Sequence, residues 1–374
     1  MQKPSLNHKI YTAVGLMSGT SLDGIDAALI RTDGQAFVEA LSFLTVPYEP
    51  AVRDALRACL GLKSDPDGRV ARAEMLMTAA HADAVKSLLA LSHLKPTAID
   101  LIGFHGQTIF HDPDHGFTWQ IGQGDALAAA TGIDVVNDFR SADVKAGGQG
   151  APLIPVYHAA LAHHLPRPVA ILNLGGVGNV TYLGADDEIL AFDTGPGNAL
   201  INDWVRQHTG AEYDHDGAHA QAGTVDGAVL SRLLQNPFFA AKPPKSLDRD
   251  AWNISFLQSL SLADGAATLT AFTVQAVVQA LPHLPQPPKA WYVTGGGRLN
   301  PAMMQGLRAA LKVPVEDVDT LHWDGDALEA QGFAYLAVRA VRGLPLSFPT
   351  TTKVPAAMTG GRFWPHQKNQ PGQS

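Results

Sequence analysis

The chain has 374 residues, a length that fits two domains, and its 46% apolar and 17% charged content supports packed cores rather than disorder. A formal net charge of −8 with no basic run argues against nucleic acid as a partner, and the single cysteine, Cys59, rules out an intrachain disulfide. No apolar run reaches membrane-spanning length and residues 1–9 lack the apolar core of a secretory signal, so the expectation is a cytoplasmic protein with no membrane contact.

Two short apolar runs, 13–17 and 25–30, read as strands joined by a turn of glycine and small hydroxyl residues. Gly19 and Gly24 give the freedom a tight hairpin needs, Thr20 and Ser21 add hydroxyl donors, and successive backbone N–H groups across such a turn form a concave anion site. Asp23 and Asp26 are spaced to hold a divalent cation, through water as magnesium prefers; the plain alternative is an ordinary hairpin. Helices are expected over 46–63 and 68–93, the second with Ala71, Met75, Met77, Ala80, Ala84, Leu88 and Leu89 as its apolar stripe. A strand over 99–104 feeds a turn at 105–108, and strands over 117–122 and 134–138 flank a helix over 125–131, completing a first α/β unit.

A second unit opens with a helix after Pro155 and a strand over 169–174, which enters Gly175 and Gly176 and leaves as another strand. The strand 189–192 breaks at Asp193 into Thr-Gly-Pro-Gly-Asn, so the Asp193 carboxylate is expected at a strand end, where α/β folds bind ligands. A turn aspartate capping the helix 199–208 is the alternative. Helices follow over 227–234 and 264–281. A strand over 290–294 runs into Gly295, Gly296 and Gly297, after which Asn300 and Pro301 open a helix carrying Met304, Leu307 and Leu311. The last helix, 326–342, is bracketed by Asp324 and by Gly343 and Pro345, and the tail beyond Pro365 reads as disordered.

None of the three glycine turns is a Walker A loop or a dinucleotide fingerprint; together they suggest one nucleotide clamped from two sides. The histidines at 105, 111 and 115 match no standard zinc spacing and have no thiols beside them. Further segments, His105-Gly-Gln-Thr108, Asp138-Phe-Arg140, Gly147-Gly-Gln-Gly-Ala-Pro-Leu153, Phe192-Asp-Thr-Gly-Pro-Gly-Asn198, Asp214-His-Asp-Gly217, Pro244-Lys-Ser246 and Leu328-Glu-Ala330, complete a pattern running in order from about residue 11 to about 360. The pattern resembles the 1,6-anhydro-N-acetylmuramic acid kinase family, within the actin, sugar-kinase and Hsp70-like ATPase superfamily.

That resemblance implies a two-domain actin-like α/β fold with a nucleotide- and substrate-binding cleft between the domains, the first over 1–135 plus about 343–374 and the second over 136–342. It implies ATP and Mg2+ as cofactors and an amino-sugar substrate. The sugar is phosphorylated as its 1,6-anhydro bridge is hydrolysed, giving N-acetylmuramic acid 6-phosphate and ADP in murein recycling. By the same resemblance Gly19, Thr20, Ser21, Leu22, Asp23, Gly24, Ile25 and Asp26, with Gly175, Gly176 and Asn179, hold the phosphates, and Gly295, Gly296 and Gly297 the adenosine. Asp193 is the general base, and His105, Gln107, Thr108, Arg140, Gly195, Asn198 and Glu329 face the sugar. Arg140 is matched to its lactyl carboxylate, with a surface ion pair to Asp138 or Asp143 as the alternative. A kinase acting on an ordinary sugar hydroxyl, or an actin- or Hsp70-like nucleotide switch, are the rival readings; a homodimer is one assembly to test.

Overall fold

A computed structural model describes residues 9–19, 21–247 and 252–366. Thr20 and all but the first residue of the tail beyond Pro365 therefore lie outside the described residues.

The chain divides into two compact units, one running to His163 and resuming at Ala327, the other spanning His164–Asp326. These limits differ from the expected ones near 135 and 343, and close packing explains the difference. The helix Leu328–Val341 lies directly on the first sheet: a Cβ on Gly15 would come 1.8 Å from the carbonyl oxygen of Ala330, and one on Gly103 2.1 Å from that of Phe333. Residues 136–163 stay with that unit as well, since the buried Tyr157 hydroxyl donates to Gln331 Oε1 at 2.7 Å.

The first unit contains β1 (Tyr11–Met17), β2 (Gly24–Thr32), β3 (Val38–Pro47), β4 (Leu101–Phe104), β5 (Gln107–Asp112), β6 (Phe117–Ile121) and β7 (Val135–Asn137). The second contains β8 (Val169–Leu174), β9 (Val177–Leu183), β10 (Ile189–Pro196), β11 (Trp291–Thr294) and β12 (Val315–Asp317), and β13 (Arg362–Trp364) returns to the first. The large sheets have the orders β13-β7-β4-β1-β2-β3 and β10-β9-β8-β11-β12. Each is the same construction. Three consecutive strands form an antiparallel meander, and two later strands extend it in parallel from the free side of the first: β4 and β7 beside β1, β11 and β12 beside β8. This duplicated topology is the two-domain actin-like α/β fold that the sequence pattern implied. The turn between β1 and β2 and the turn between β8 and β9 occupy equivalent places in it.

Three expected elements change. Residues 46–47 end β3 and the helix shrinks to Pro50–Arg57; β3 is an edge strand with largely exposed side chains, so it shows no apolar alternation, while its ladder to β2 fixes it. The following helix is Arg69–Leu91, but Val70, Ala73, Met77, His81, Ala84 and Leu88 form its buried face at three- and four-residue steps, leaving Ala71 and Met75 exposed. Residues 107–108 open β5, paired with β6 in a small two-stranded sheet, instead of forming a turn. As expected, Asn300 caps the helix Pro301–Leu311 by accepting from the Met303 N–H, and Met304, Leu307 and Leu311 are buried. The second unit's core gathers Trp204, Phe192, Phe272 and Trp291; the first unit's gathers Leu16, Ile25, Met77 and Phe104.

Candidate active site

In the second unit, register places Asp193 beside Asn179, Asn179 beside Asn173, and Asn173 beside Thr294. Residues paired across strands share a face, so these four form one polar row over four strands. Their predecessors or successors on the opposite face, Phe192, Val180, Leu172 and Val293, are all fully buried in the core. Asn173 and Thr294 escaped the sequence reading because a row across a sheet exists only once the register is known.

Asp193 does not stand at a strand end. β10 continues to Pro196, and its ladder shifts between Asp193 and Gly195, an irregularity of the kind that redirects a side chain beside a functional site. Nor does it cap the helix Ala199–Thr209, which follows Asn198 without a side-chain cap. Instead Asp193 Oδ2 accepts from the Leu247 N–H at 2.7 Å, and its own N–H donates to the Lys245 carbonyl at 2.9 Å. Among the described residues nothing donates to Oδ1. Burial pushes the carboxyl from an ordinary 3.8 up to about 7, against the Leu247 bond and the charge of Lys245, which both favour ionisation. Lys245 is itself buried and donates to the carbonyls of Phe238 and Phe239 at 2.9 and 3.2 Å; burial lowers its ammonium to about 8, with Asp193 opposing.

Three glycine segments meet at this end of the sheet. The Gly197 N–H donates to Gly176 O at 3.0 Å, and the Asn198 N–H to Gly175 O at 2.7 Å. Asn198 Nδ2 donates to Leu174 O at 2.8 Å. Gly295 has a φ of +77°, and a Cβ there would come 2.3 Å from Asn173 Oδ1; one on Gly297 would come 2.5 Å from Leu174 Cβ. Gly195, at φ +153°, presses on Ala276 in the same way. Those glycines are demanded by the fold. Others are not. A Cβ on Gly175, Gly176 or Gly296 would meet nothing closer than 3.7, 3.7 and 3.6 Å, and one on Gly19 in the first unit nothing closer than 3.6 Å, all with ordinary φ. Glycine at positions where the protein has room for a side chain is what close approach of a ligand to the backbone requires, so these residues fit a nucleotide.

A clean test follows, because Gly296 is one of the roomy positions. Gly296→Val is expected to raise the Michaelis constant for ATP at least tenfold with circular dichroism unchanged; Gly296→Ala should do so less. Unchanged ATP dependence in a folded variant would remove this turn from the nucleotide site.

In the first unit, Leu22 and Ile25 are core residues, so only their backbone is available to a ligand, whereas Ser21 and Asp23 are exposed. Asp26 Oδ1 accepts from Thr45 Oγ1 at 2.6 Å. No cluster of three or more acidic, histidine or cysteine side chains suited to a metal occurs among the described residues.

Arg140 is the centre of a second polar group. Its Nε and Nη2 donate to His105 Nε2 at 3.1 and 3.0 Å, and its Nη1 donates to Gly150 O at 2.8 Å. Because Nε2 accepts, the His105 proton sits on Nδ1 and is donated to Gly106 O at 2.8 Å. Burial, reinforced by the Arg140 charge, holds the His105 ring well below its usual range, so it is neutral. Burial also lowers Arg140 to about 10, with Glu329 and Asp143 resisting; it remains a cation at neutral pH. Among the described residues three of the five guanidinium N–H groups are engaged. The alternative, a surface ion pair to Asp138 or Asp143, is not formed among the described residues: the buried Asp143 accepts from the Gly150 N–H, Thr352 Oγ1 and Ser347 Oγ, and so shapes the glycine loop. Glu329 is open to solvent yet crowded by protein, and that crowding, with Asp26 nearby, raises its carboxyl while Arg140 opposes.

Gln107 is fully buried and accepts from the Ser18 hydroxyl at 2.6 Å. Thr108 is half-buried and its hydroxyl accepts from Gln120 Nε2 at 3.2 Å. His111 Nδ1 bonds Thr118 Oγ1 and His115 Nδ1 bonds Asp112 Oδ1, each at 2.8 Å.

An actin-like α/β fold with glycine turns at equivalent places in its two units is a fold that phosphotransferases use. The family model of anhydro-N-acetylmuramic acid kinase matches residues 11–366, and the chain belongs to that family. Relatives with that name come from Rhizorhabdus wittichii, 56% identical over 355 residues (93% of this chain, 97% of the relative), and Rhodospirillum rubrum, 54% over 358 (94% of each). A third, from Zymomonas mobilis, is 50% identical over 360 residues, covering 94% of this chain and 99% of its own. No helix among the described residues is long and apolar enough to cross a membrane.

Proposed function

We propose that the chain is an ATP-dependent kinase that phosphorylates 1,6-anhydro-N-acetylmuramic acid while hydrolysing its 1,6-anhydro bridge, releasing N-acetylmuramic acid 6-phosphate and ADP in murein recycling. Family membership supports the reaction. The observation that carries the mechanism is Asp193, with one carboxylate oxygen held by Leu247, the other open, and a pKa of about 7. A carboxylate so placed takes a proton from water at neutral pH.

The 6-oxygen of the anhydro sugar is tied to the anomeric carbon, so it becomes a phosphoryl acceptor only as that bond breaks. Asp193 removes the proton as water attacks the anomeric carbon, and the departing 6-oxygen is then free to be phosphorylated. ATP, held at Gly19, Ser21, Gly175, Gly176 and Gly296, supplies the phosphoryl group; Asp23 and Asp26 are the residues that would hold Mg2+, which would neutralise charge on the phosphates. Arg140, oriented by His105 and Gly150, offers its guanidinium to the lactyl carboxylate. Thr108, Asn198 and Glu329 complete the polar lining around the sugar. A cytoplasmic, homodimeric enzyme fits this role.

Labelling tests the coupling of the two steps. In water enriched with oxygen-18, the label is expected on the anomeric hydroxyl of the product and not in its phosphate. Label in the phosphate would mean that water attacks phosphorus, which is incompatible with this reading.

A further inference from the structure

Tyr48 and Ser18 have no part in the chemistry above, yet both are buried, 6% and 2% exposed, against the 18–23 turn. Ser18 Oγ lies 2.7 Å from the Tyr48 hydroxyl and 2.6 Å from Gln107 Oε1. An amide oxygen only accepts, so the single Ser18 proton goes to Gln107 and Tyr48 must donate to Ser18. Gln107 passes the chain on, its Nε2 donating to the Thr108 carbonyl at 3.3 Å. Meanwhile the Tyr48 N–H donates to the Asp23 carbonyl at 3.2 Å. One residue thus grips both ends of the turn, Ser18 through its side chain and Asp23 through its backbone, and the same hydrogen-bond chain ends on the first residues of β5.

We propose that Tyr48 and Ser18 are positioning residues that tie the 18–23 turn to β5, so that a nucleotide at the turn and the sugar beside Thr108 strengthen each other's binding. The inference rests on the reading of that turn as a phosphate site and of residues 105–108 as a sugar contact. Thermodynamic coupling of this kind is reciprocal and measurable.

Calorimetry on the full chain, with a non-hydrolysable ATP analogue and 1,6-anhydro-N-acetylmuramic acid, provides the test. In the wild type, saturating sugar should tighten the analogue, and analogue should tighten the sugar by the same factor. Tyr48→Phe, which removes one oxygen and keeps the ring, and Ser18→Ala should each weaken the analogue about two- to tenfold in the presence of sugar, the scale of one hydrogen bond. Both should bring the coupling factor close to one. The double variant should lose no more than the worse single, since both cut one chain, and Ser18→Thr, which keeps the hydroxyl, should retain the coupling. Wild-type coupling of one, coupling unchanged in the folded Tyr48→Phe, or losses that add in the double variant would each overturn the proposal. A lower melting temperature with intact coupling would do so too, reducing the two residues to packing. Failure of the functional reading is seen separately, as a wild type that does not turn over ATP with the anhydro sugar.

Discussion

Asp193→Asn is expected to bind ATP and the anhydro sugar almost normally and to turn over about two to four decades more slowly, the range for losing a positioned general base. Asparagine keeps the shape and can still accept from the Leu247 N–H, so the loss isolates proton transfer. The pH profile should carry the same signature. The base works only when ionised, so wild-type kcat should fall as pH drops below about 7, and that limb should vanish in the variant. Stability moves the other way. A carboxyl raised from 3.8 in the unfolded chain to about 7 in the fold stabilises the fold fully below pH 3.8, and that stability is lost as pH rises through 7. Asp193→Asn should therefore melt above the wild type at pH 8, with the gain fading towards pH 4. Near-normal turnover in the variant would assign the base elsewhere, with Glu329 the next carboxylate to test.

Arg140→Met should weaken the anhydro sugar acid by about 2 kcal/mol or more, roughly 30-fold, the cost of deleting a desolvated charge-assisted pair. The corresponding anhydro sugar without the lactyl group should lose little. Methionine keeps most of the length, and His105, already neutral, is not left with a buried charge. Equal losses on the two sugars would make Arg140 a structural residue that holds the Gly150 loop.

The glycine turns were legible because turn residues act locally: Gly19, Gly175, Gly176 and Gly296 declare themselves by type and by the apolar runs beside them. Asp193 was legible by the same punctuation, though its strand runs on through Gly195 to Pro196 because β9 continues to pair with it. What stayed hidden depends on distant partners. β3 and β13 lie at sheet edges, where exposed side chains leave no alternation to read. The bond from Ser18 to Gln107 was hidden too, since nothing nearby in sequence announces a partner so far upstream. Asn173 joins the polar row only through its neighbours on β9 and β11. The limits of the compact units were hidden for a similar reason: the helix Leu328–Val341 sits next to the second unit in sequence, and its backbone packs closely on Gly15 and Gly103 of the first.

That last helix also sets an order of assembly on the ribosome. Its seat on β1 and β4 is made early in synthesis, but the strands wait uncovered while residues 164–326 are added. At about 5–20 residues per second the wait is roughly 10–30 s, long beside the folding time of an ordinary domain. The second unit, a continuous stretch of chain, can form its core in that interval, whereas the first must keep apolar strands from pairing wrongly until its closing segment emerges. Newly made chains should then be most prone to aggregation and most dependent on chaperones just before Leu328 is reached, a vulnerability written into the connectivity rather than into any one residue.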